Sequence, residues 1–269
     1  MPELPEVEAV VRTLRPLVRG RRIRRCEVLH VIAVRPQAAT TLRRRLEGRR
    51  VEGVERHGKY LVLRLDDGCA VLHFKLDGQL VWFDGHRVNG HIDVALHFPH
   101  GTLGFVDRRH FGRVLWFRAP EEVPGIRTLG SDPLSREFTL DYLRGLLGGS
   151  RRPMKLLLMD QTRIAGLGNI YASESLWRAR ISPRRLSHRV RPQETRRLHK
   201  AIVDVLRRAL ECCLGPAPDF RNPEWWFQGL ERILGVYDRE GKPCRRCGTR
   251  IRRIEQGGRS SYYCPSCQR

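Results

Sequence analysis

Four cysteines close the chain in two pairs, Cys244 with Cys247 and Cys264 with Cys267. Each pair has Cys-x2-Cys spacing, which places two thiolates on one tight turn, and two such turns can complete a tetrahedral zinc site. Two disulfides or four unrelated cysteines are the alternatives, but no apolar signal segment is present, so we expect a reducing compartment where disulfides are rare. Because four protein ligands leave no open coordination position, the sequence predicts one structural Zn²⁺ ion rather than a catalytic one.

The segment between the two cysteine pairs has the pattern of a β-hairpin. Residues 249–263 read as a strand, a Gly257-Gly258 turn and a second strand. Arg259 follows the turn directly, where a hairpin tip can present it to a partner. The remaining cysteines lack ligand spacing and are expected to be small buried side chains: Cys26, Cys69, Cys212 and Cys213.

The opposite end of the chain, residues 1–8 (MPELPEVE), offers a second kind of chemistry. Removal of Met1 would leave Pro2 with a secondary amine whose pKa of roughly 8 lies below the value of about 10.4 for lysine. Such an amine can attack an electrophilic carbon, and attack at a sugar C1′ would give an iminium ion that accepts electrons during β-elimination. Glu3 could move protons during that sequence. An ordinary proline near a chain start is the alternative.

The charge of the chain points to a polyanionic partner. It has 51 Lys and Arg against 29 Asp and Glu, a net charge of +22. Cationic side chains gain affinity for nucleic acid by releasing counterions condensed on phosphates. Arginine usage in a GC-rich genome would exaggerate this signal. The basic residues are scattered rather than gathered on one amphipathic helix, and no long apolar run is present, so we expect no association with a membrane.

The hydrophobic pattern changes along the chain from strands to helices. Residues 3–19 have the spacing of a helix, and a short helix is predicted at 40–46. Short β-branched segments separated by turn residues indicate a β-sandwich. The predicted strands are 23–31, 50–57, 60–65, 70–76, 79–83, 93–98, 101–107 and 114–117.

Breaker residues are concentrated in 119–135, and the pattern beyond this segment is helical. Because strands precede helices, the sequence predicts an α+β protein with segregated domains. We expect an N-terminal β-sandwich domain over 1–118, a linker over 119–135, a helical domain over 136–235 and a zinc hairpin over 236–269. The predicted helices are 140–147, 153–160, 170–179 and 193–213, and 215–223 is a predicted proline-rich loop.

Four segments in the same order resemble the formamidopyrimidine-DNA glycosylase family. Residues 2–8 (PELPEVE) resemble its opening, and residues 129–134 (LGSDPL) the start of its interdomain linker. Residues 158–174 (LMDQTRIAGLGNIYASE) resemble its helix–two-turns–helix motif, and the terminal cysteines resemble its finger. The resemblance therefore spans the whole chain and implies the family's fold, with a β-sandwich and an N-terminal helix followed by a helix–two-turns–helix domain and a zinc finger.

The resemblance also implies roles for single residues. Pro2 would be the nucleophile that displaces the base and forms a Schiff base, and Glu3 the acid and base. Lys59, in the sequence HGKY, would lie in the active site beside a DNA phosphate. Glu6 and Lys155 match supporting residues of the active site.

DNA contacts are implied at both ends of the chain. Asn169 matches a phosphate-binding residue at a helix start, and Arg259 matches the arginine that grips phosphates around the flipped nucleotide. Members of the family fill the gap left by that nucleotide with three side chains, and the matching positions in this chain are Leu76, Arg109 and Phe111. Two loops differ from the sequences usual in the family. Residues 73–78 read HFKLDG instead of HLGMSG, with changes at Lys75, Leu76 and Asp77. Residues 107–112 read DRRHFG instead of DPRRFG, with changes at Arg108 and His110.

The resemblance implies a bifunctional DNA glycosylase and AP lyase of base-excision repair that acts on damaged double-stranded DNA as a monomer in the cytoplasm, at the nucleoid. A DNA-damage-binding protein without catalysis is the alternative, and a zinc-finger transcription factor would leave the N-terminus unexplained. Residues 213–220 (CLGPAPDF) differ from the family's lesion-contacting loop. Oxidised, ring-opened and alkylated bases therefore all stay open as substrates, as does the choice between β- and δ-elimination.

Overall fold

The computed structural model describes residues 2–85, 91–215 and 229–269. The chain packs as two compact units that divide between Thr128 and Leu129, and residues from Cys212 to the end of α7 (Pro192–Leu214) belong to the first unit. The boundary between the two units lies within the predicted linker, residues 119–135. The limits given above for the four predicted parts of the chain stay predictions. None of the helices in the described ranges is long and apolar enough to span a membrane.

The first unit begins with helix α1 (Leu4–Val18), as the sequence predicts. Glu3 is its N-cap, and Pro5 lies in the first turn, where its missing N–H costs no helical hydrogen bond. Apolar residues at helical spacing, including Val7 and Leu14, are buried. The helix packs on strands β2 (Val51–His57) and β3 (Tyr60–Leu65), so its N-terminal residues are fixed to a sheet.

Eight strands of the first unit's described residues form two antiparallel sheets, as predicted. One has the order β1-β6-β7-β5 and the other β2-β3-β4-β8. Apolar side chains of both sheets line one interior space, which is the core of a β-sandwich. The strands not yet given are β1 (Arg25–Val28), β4 (Cys69–His73), β5 (Gln79–Asp84), β6 (Val94–Phe98), β7 (Gly101–Val106) and β8 (Arg113–Phe117), and α2 (Ala39–Leu46) joins β1 to β2.

Two predicted strands are too long, for local reasons. The strand predicted over 70–76 ends at His73 because Gly78 N–H donates to Phe74 O (2.9 Å) and closes a turn. The strand predicted over 23–31 ends at Val28 because residues 31–34 form a 3₁₀ turn. The predicted linker also carries a 3₁₀ turn and a short helix, α3 (Pro124–Arg127), each begun by a proline in a position that helices tolerate.

The second unit is helical and ends in a hairpin. Its helices are α4 (Leu140–Gly148), α5 (Met154–Leu158), α6 (Asn169–Ala179), most of α7, and α8 (Leu230–Ile233). Strands β9 (Arg252–Gln256) and β10 (Arg259–Tyr263) confirm the predicted hairpin. Gly257 and Gly258 both have positive φ (60° and 71°), as a type I′ turn requires. The predicted loop 215–223 lies outside the described residues from 216 onward.

Candidate functional site

The first two residues of the predicted active site lie at the start of α1 and are buried. Pro2 is buried, and Glu3 is 1% exposed. The backbone N–H of Glu3 donates to Glu6 Oε2 at 2.8 Å, within a capping box. Glu6 is fully buried, so its carboxylate fixes the peptide that joins Pro2 to Glu3. The local geometry thus holds Pro2, the second residue of the sequence, in one place, as a nucleophile would need.

A chain of polar contacts joins α1 to the turn that carries Lys59. Glu8 Oε2 accepts from Arg56 Nε at 2.9 Å, and Arg56 Nη1 donates to Gly58 O at 3.3 Å. Gly58 and Lys59 form the two-residue turn of the β2–β3 hairpin. Only Gly58 has positive φ (57°), which is the pattern of a type II′ turn. Lys59 is 8% exposed although it lies at a hairpin tip, which distinguishes it from an ordinary solvated lysine.

His73, which sequence reasoning missed, is a neutral histidine close to two lysines. It pairs with Tyr60 across β3 and β4, and the two rings meet edge to face. Burial, together with the charges of Lys75 and Lys59, lowers the pKa of His73 to about 3. Its Nδ1 accepts from the Lys75 N–H at 2.9 Å, so the ring proton lies on Nε2. Only the register of β3 and β4 brings His73 to Lys59, and no local sequence pattern marks it.

The predicted gap-filling residues lie on two exposed turns of the first unit. Leu76 is 39% and Phe111 47% exposed. The guanidinium of Arg109 lies over the Phe111 ring at 5.1 Å. The structure therefore rules out core packing, the ordinary role of such residues, for Leu76 and Phe111.

The loop of residues 107–112 is organised by Asp107. Its Oδ1 accepts from Arg109 N–H (3.0 Å) and its Oδ2 from Gly112 N–H (2.5 Å). The two loops are linked by an ion pair between Arg109 Nε and Asp77 Oδ2 at 3.1 Å. Asp77 is one of the positions at which this chain departs from the usual loop sequence, so the ion pair is a feature of this chain.

In the second unit, the two-turn segment before α6 is organised by Gln161. Its Nε2 donates to Met159 O (2.9 Å) and Leu167 O (2.7 Å), and its Oε1 accepts from Gly166 N–H (2.9 Å). One amide side chain thereby satisfies three backbone groups that the turns leave outside helices. The segment is thus fixed before it delivers the chain to the N-terminus of α6.

Lys155 and Asn169 meet at that N-terminus. Lys155 is fully buried, and its Nζ donates to Asn169 O (3.0 Å) and Ser173 Oγ (2.5 Å). Asn169 is the first helical residue and Gly168 the N-cap, so Asn169 is not the N-cap itself. The Asn169 Oδ1 atom is buried and accepts no hydrogen bond from the described residues. Lys155 therefore braces α5 against α6, with Asn169 at a helix end that favours anions.

The finger is attached to α6 by a buried carboxylate. Glu174 accepts hydrogen bonds from the backbone N–H groups of Gly235 (2.8 Å), Val236 (2.9 Å) and Tyr237 (2.8 Å). Burial raises the pKa of Glu174, while the three N–H donors oppose that rise. Sequence reasoning did not assign this role, because Glu174 and Gly235 lie 61 positions apart.

The four terminal cysteines converge as a metal site requires. Their Sγ atoms lie within 4.8 Å of one another, and Cys247 Sγ is 3.5 Å from Cys264 Sγ and 3.4 Å from Cys267 Sγ. The thiols are free rather than paired in disulfides. Backbone N–H groups point at two of the sulfurs, Cys244 and Cys264, from 3.4 Å. These residues fit a tetrahedral Zn²⁺, whose Zn–S bonds of about 2.3 Å imply sulfur separations of about 3.8 Å.

The predicted site residues are divided between the two units. The first unit contains the residues assigned to catalysis and gap filling together with Glu6, and the second contains those assigned to metal binding and DNA contacts together with Lys155, which is assigned to active-site support. The first group is Pro2, Glu3, Glu6, Lys59, Leu76, Arg109 and Phe111; the second is Lys155, Asn169, Arg259, Cys244, Cys247, Cys264 and Cys267. Arg259 is exposed as the first residue of β10.

Family models match all three parts of the chain. The formamidopyrimidine-DNA glycosylase N-terminal domain matches residues 1–114, the H2TH domain of the same family residues 129–215, and the zinc finger found in FPG and IleRS residues 241–269. A formamidopyrimidine-DNA glycosylase of Pelotomaculum thermopropionicum is 41% identical over 275 residues, covering 100% of this chain and 99% of its own length. The chain belongs to the formamidopyrimidine-DNA glycosylase family. A relative of the same name from Synechococcus elongatus is 39% identical, with coverage of 100% and 97%.

Solved structures of formamidopyrimidine-DNA glycosylases share the fold. The Lactococcus lactis protein in complex with DNA containing an abasic site has a TM-score of 0.89 at 29% identity, with 99% of each chain covered. The same protein in complex with DNA containing an oxidised pyrimidine has a TM-score of 0.89 at 30% identity, with 100% of each chain covered. These similarities confirm the predicted α+β fold and, with the cysteine geometry, the structural zinc site.

Proposed function

We propose that this chain removes damaged bases from DNA through a Schiff base on Pro2. As a member of the formamidopyrimidine-DNA glycosylase family it is a DNA glycosylase and AP lyase of base-excision repair that acts on damaged double-stranded DNA as a monomer. The observation that carries the assignment to Pro2 is its burial at the start of α1, where Glu6 fixes the Pro2–Glu3 peptide. A non-catalytic binding protein would not need a chain-terminal amine held in this way.

The proposed reaction uses two adjacent residues, the nitrogen of Pro2 as the nucleophile and the carboxyl group of Glu3 as the acid. The Pro2 nitrogen attacks C1′ as the bond from C1′ to the base breaks; the base leaves with the electron pair and takes up the proton that the Pro2 nitrogen loses. Glu3 protonates the sugar ring oxygen, so the ring opens and the nitrogen lone pair forms the iminium ion. Loss of the C2′ proton to solvent gives an enamine, which expels the 3′ phosphate by β-elimination and leaves a conjugated iminium ion; water then hydrolyses this ion and releases Pro2.

The cationic groups near Lys59 support a phosphate-binding role. Lys59, Lys75 and the Nε2–H of His73 are three hydrogen-bond donors in one part of the first unit, and the neutral ring of His73 adds a donor without further repulsion. In the second unit, Asn169 at a helix N-terminus and Arg259 at the hairpin tip would bind phosphates in the same manner. With a net charge of +22, DNA affinity should fall steeply with salt.

The two exposed turns supply the side chains that would fill the gap left by a flipped nucleotide. Leu76 and Phe111 are apolar wedges already directed to solvent, and Arg109 can donate hydrogen bonds to the unpaired base. The Lactococcus lactis protein has been crystallised with DNA containing an oxidised pyrimidine and with DNA containing Fapy-dG. We propose oxidised and ring-opened bases as substrates here, and association with the nucleoid.

Borohydride trapping tests the proposal. The chain is incubated with duplexes containing an abasic site, 8-oxoguanine, a formamidopyrimidine or an oxidised pyrimidine, and the trapped adduct is digested and sequenced by mass spectrometry. We expect the DNA remnant on the peptide that begins with Pro2, and the lesion that is trapped fastest identifies the substrate. An adduct on Lys59 or Lys155 would overturn the assignment to Pro2.

Two variants make the trapping experiment specific. Pro2→Gly keeps a terminal amine but loses the secondary amine, so trapping should slow, and retention of one extra residue before Pro2 should abolish it. Pro5→Ala is the matched control, because Pro5 lies in the same helical turn without the terminal amine. If no duplex gives an adduct while all of them bind, the chain is a damage-binding protein on this scaffold.

A further inference from the structure

Three histidines surround one carboxylate at an end of the sheet that contains β1 and β6. Their rings are mutually close, with centroids 4.8 Å apart for His30 and His91, 5.2 Å for His30 and His110, and 5.4 Å for His91 and His110. Asp93 is fully buried beside them. A ligand atom from each of His30, Asp93 and His110 lies within 4.8 Å of the other two. These four residues are called the His-Asp cluster below.

The facing atoms of the cluster are close to one another without being aligned as hydrogen bonds. His110 Nδ1 is 3.0 Å and His91 Nε2 3.5 Å from Asp93 Oδ1. All three atoms are buried, and none of them has a hydrogen-bond partner among the described residues. Buried polar atoms are nearly always satisfied, so three buried polar atoms that converge without aligned hydrogen bonds leave room for a shared partner such as a cation.

The backbone builds the cluster from three separate segments. Leu29 and His30 N–H both donate to Asp93 O, at 2.9 and 3.1 Å, which fixes His30 next to Asp93 just beyond the β1–β6 pairing. His110 reaches them from the loop 107–112 through a left-handed backbone, with φ of 56°. A non-glycine residue in that conformation carries a cost that its surroundings must offset. Here the conformation directs an imidazole at Asp93.

The distances agree with coordination of a first-row divalent ion. Tetrahedral bonds of about 2.0–2.1 Å to nitrogen and oxygen imply ligand separations of about 3.3 Å. Among the three ligand atoms, His110 Nδ1 and Asp93 Oδ1 are 3.0 Å apart, and the ligand atom of His30 lies within 4.8 Å of both. Imidazole and carboxylate together suit zinc and its transition-metal neighbours rather than Ca²⁺ or Mg²⁺, which take oxygen ligands. Three protein ligands would leave a position for water, with His91 beside the same carboxylate oxygen.

The cluster is coupled to the loop that carries the gap-filling residues. The second oxygen of Asp93, Oδ2, accepts from the backbone N–H of Asp107 at 2.6 Å. Asp107 in turn organises Arg109 and Gly112 through its own carboxylate. An ion on Oδ1 of Asp93 would therefore brace the base of that loop. In the loop sequence usual for the family an arginine takes the place of His110, and arginine cannot ligate a cation.

We propose that His30, Asp93 and His110 form a second metal site of this chain, which takes a zinc-like divalent ion and stiffens the loop of residues 107–112. The site is separate from the four-cysteine site, which lies in the second unit. Metal binding at this site requires neither base excision nor Schiff-base chemistry, so its test does not depend on the function proposed above.

Metal stoichiometry and cobalt spectroscopy test this site. Untagged protein is incubated with excess Zn²⁺, passed through gel filtration in metal-free buffer and analysed by mass spectrometry for elements. The two groups of ligands predict two zinc ions per chain. Co²⁺ added to protein with zinc only in the finger should give ligand-field bands without the intense thiolate-to-cobalt charge transfer of a cysteine site.

The variants His30→Gln and His110→Arg should each retain one zinc ion and bind Co²⁺ at least about tenfold more weakly, as expected when one ligand is lost. Exposed His100 provides the control, and His100→Gln should retain both ions. The finger's own zinc reports in each variant that the second unit has folded, and circular dichroism reports on the β-sandwich. One zinc ion in the unaltered chain, or two in both ligand variants, would overturn the proposal.

Discussion

The N-terminal site and the loop pair differ in how tightly the protein holds them, although both belong to the first unit. At the N-terminal site, Glu3 and Glu6 are at most 1% exposed and joined by a 2.8 Å hydrogen bond. In the loop pair, Leu76 and Phe111 are 39% and 47% exposed, and the interloop contact is an ion pair at the surface. The residues proposed to make and break bonds are thus fixed by the protein itself, whereas those proposed to contact the DNA are exposed.

This difference also explains where the chain departs from the family pattern. A change at Glu6 would leave the Glu3 N–H unsatisfied in a buried place, so the substitutions tolerated there are few. Changes at Lys75, Asp77 or Arg108 occur on solvated turns, where most substitutions cost little stability. Substrate choice can therefore vary in the loops while the chemistry stays the same.

Glu3→Gln should have the largest effect. The amide keeps the size of the side chain but cannot transfer a proton, so excision should slow by about 10²–10⁴-fold. Single-turnover excision on the lesion duplex and DNA affinity by fluorescence anisotropy separate chemistry from binding. Affinity should change by less than about threefold, equivalent to roughly 0.6 kcal/mol.

Glu52→Gln is the control, because Glu52 is an exposed carboxylate of β2 in the same unit. It should leave both quantities unchanged. An excision rate for Glu3→Gln equal to that of the unaltered chain would show that another group transfers the proton, and the role of Glu3 would be reduced to capping α1.

The pH dependence of stability tests whether His73 is held neutral. Its folded pKa of about 3 lies below its ordinary value of 6.5, so the unfolded chain binds the proton first as the pH falls. The contribution of His73 to stability is complete above pH 6.5 and is lost progressively toward pH 3. By pH 5 the loss should be about 2 kcal/mol.

Urea unfolding followed by circular dichroism at pH 7 and pH 5 measures this loss. In His73→Asn the side-chain Oδ1 can still accept from the Lys75 N–H, but the group no longer titrates. The variant should therefore lose about 2 kcal/mol less between the two pH values than the unaltered chain. Equal losses in both proteins would contradict a neutral His73 in the folded chain.

Sequence reasoning succeeded where the signal is local. Helix α1 follows from apolar spacing with proline in the first turn, the finger hairpin from its paired glycines, and the zinc site from cysteine spacing. It failed where residues far apart in the chain meet. Glu174 reaches the backbone of Gly235, 61 positions away, and nothing in either segment predicts the contact. The same applies to His73, whose partners depend on strand register.

The ends of strands are also difficult to predict from the hydrophobic pattern alone. Residues 70–76 look like one continuous strand because apolar residues continue to Leu76. The structure ends β4 at His73 and turns the chain, since Lys75 adopts a φ of 53° and Gly78 closes the turn. An apolar residue on an exposed turn looks the same in sequence as one in a strand, and the DNA contact proposed for Leu76 would give a reason for its place on the turn.

Asp77→Ser should have the smallest effect, and it tests the loop pair most directly. The Asp77–Arg109 ion pair has side chains 42% and 55% exposed, so it is worth at most about 1 kcal/mol. If Arg109 reaches the unpaired base, as proposed above, it must leave Asp77, and the carboxylate of Asp77 would also repel DNA phosphates. Removing the carboxylate should tighten binding to lesion DNA by about two- to fivefold at low salt, and less at high salt.

A double-mutant cycle decides whether Asp77 acts through Arg109. If it does, Asp77→Ser should change affinity much less in an Arg109→Ala background than in the unaltered chain, because the partner is already gone. An equal gain in both backgrounds would assign the effect to phosphate repulsion alone. Weaker binding by Asp77→Ser would reverse the interpretation, since the ion pair would then hold Arg109 ready for DNA and the loop pair would resemble the N-terminal site in being organised beforehand.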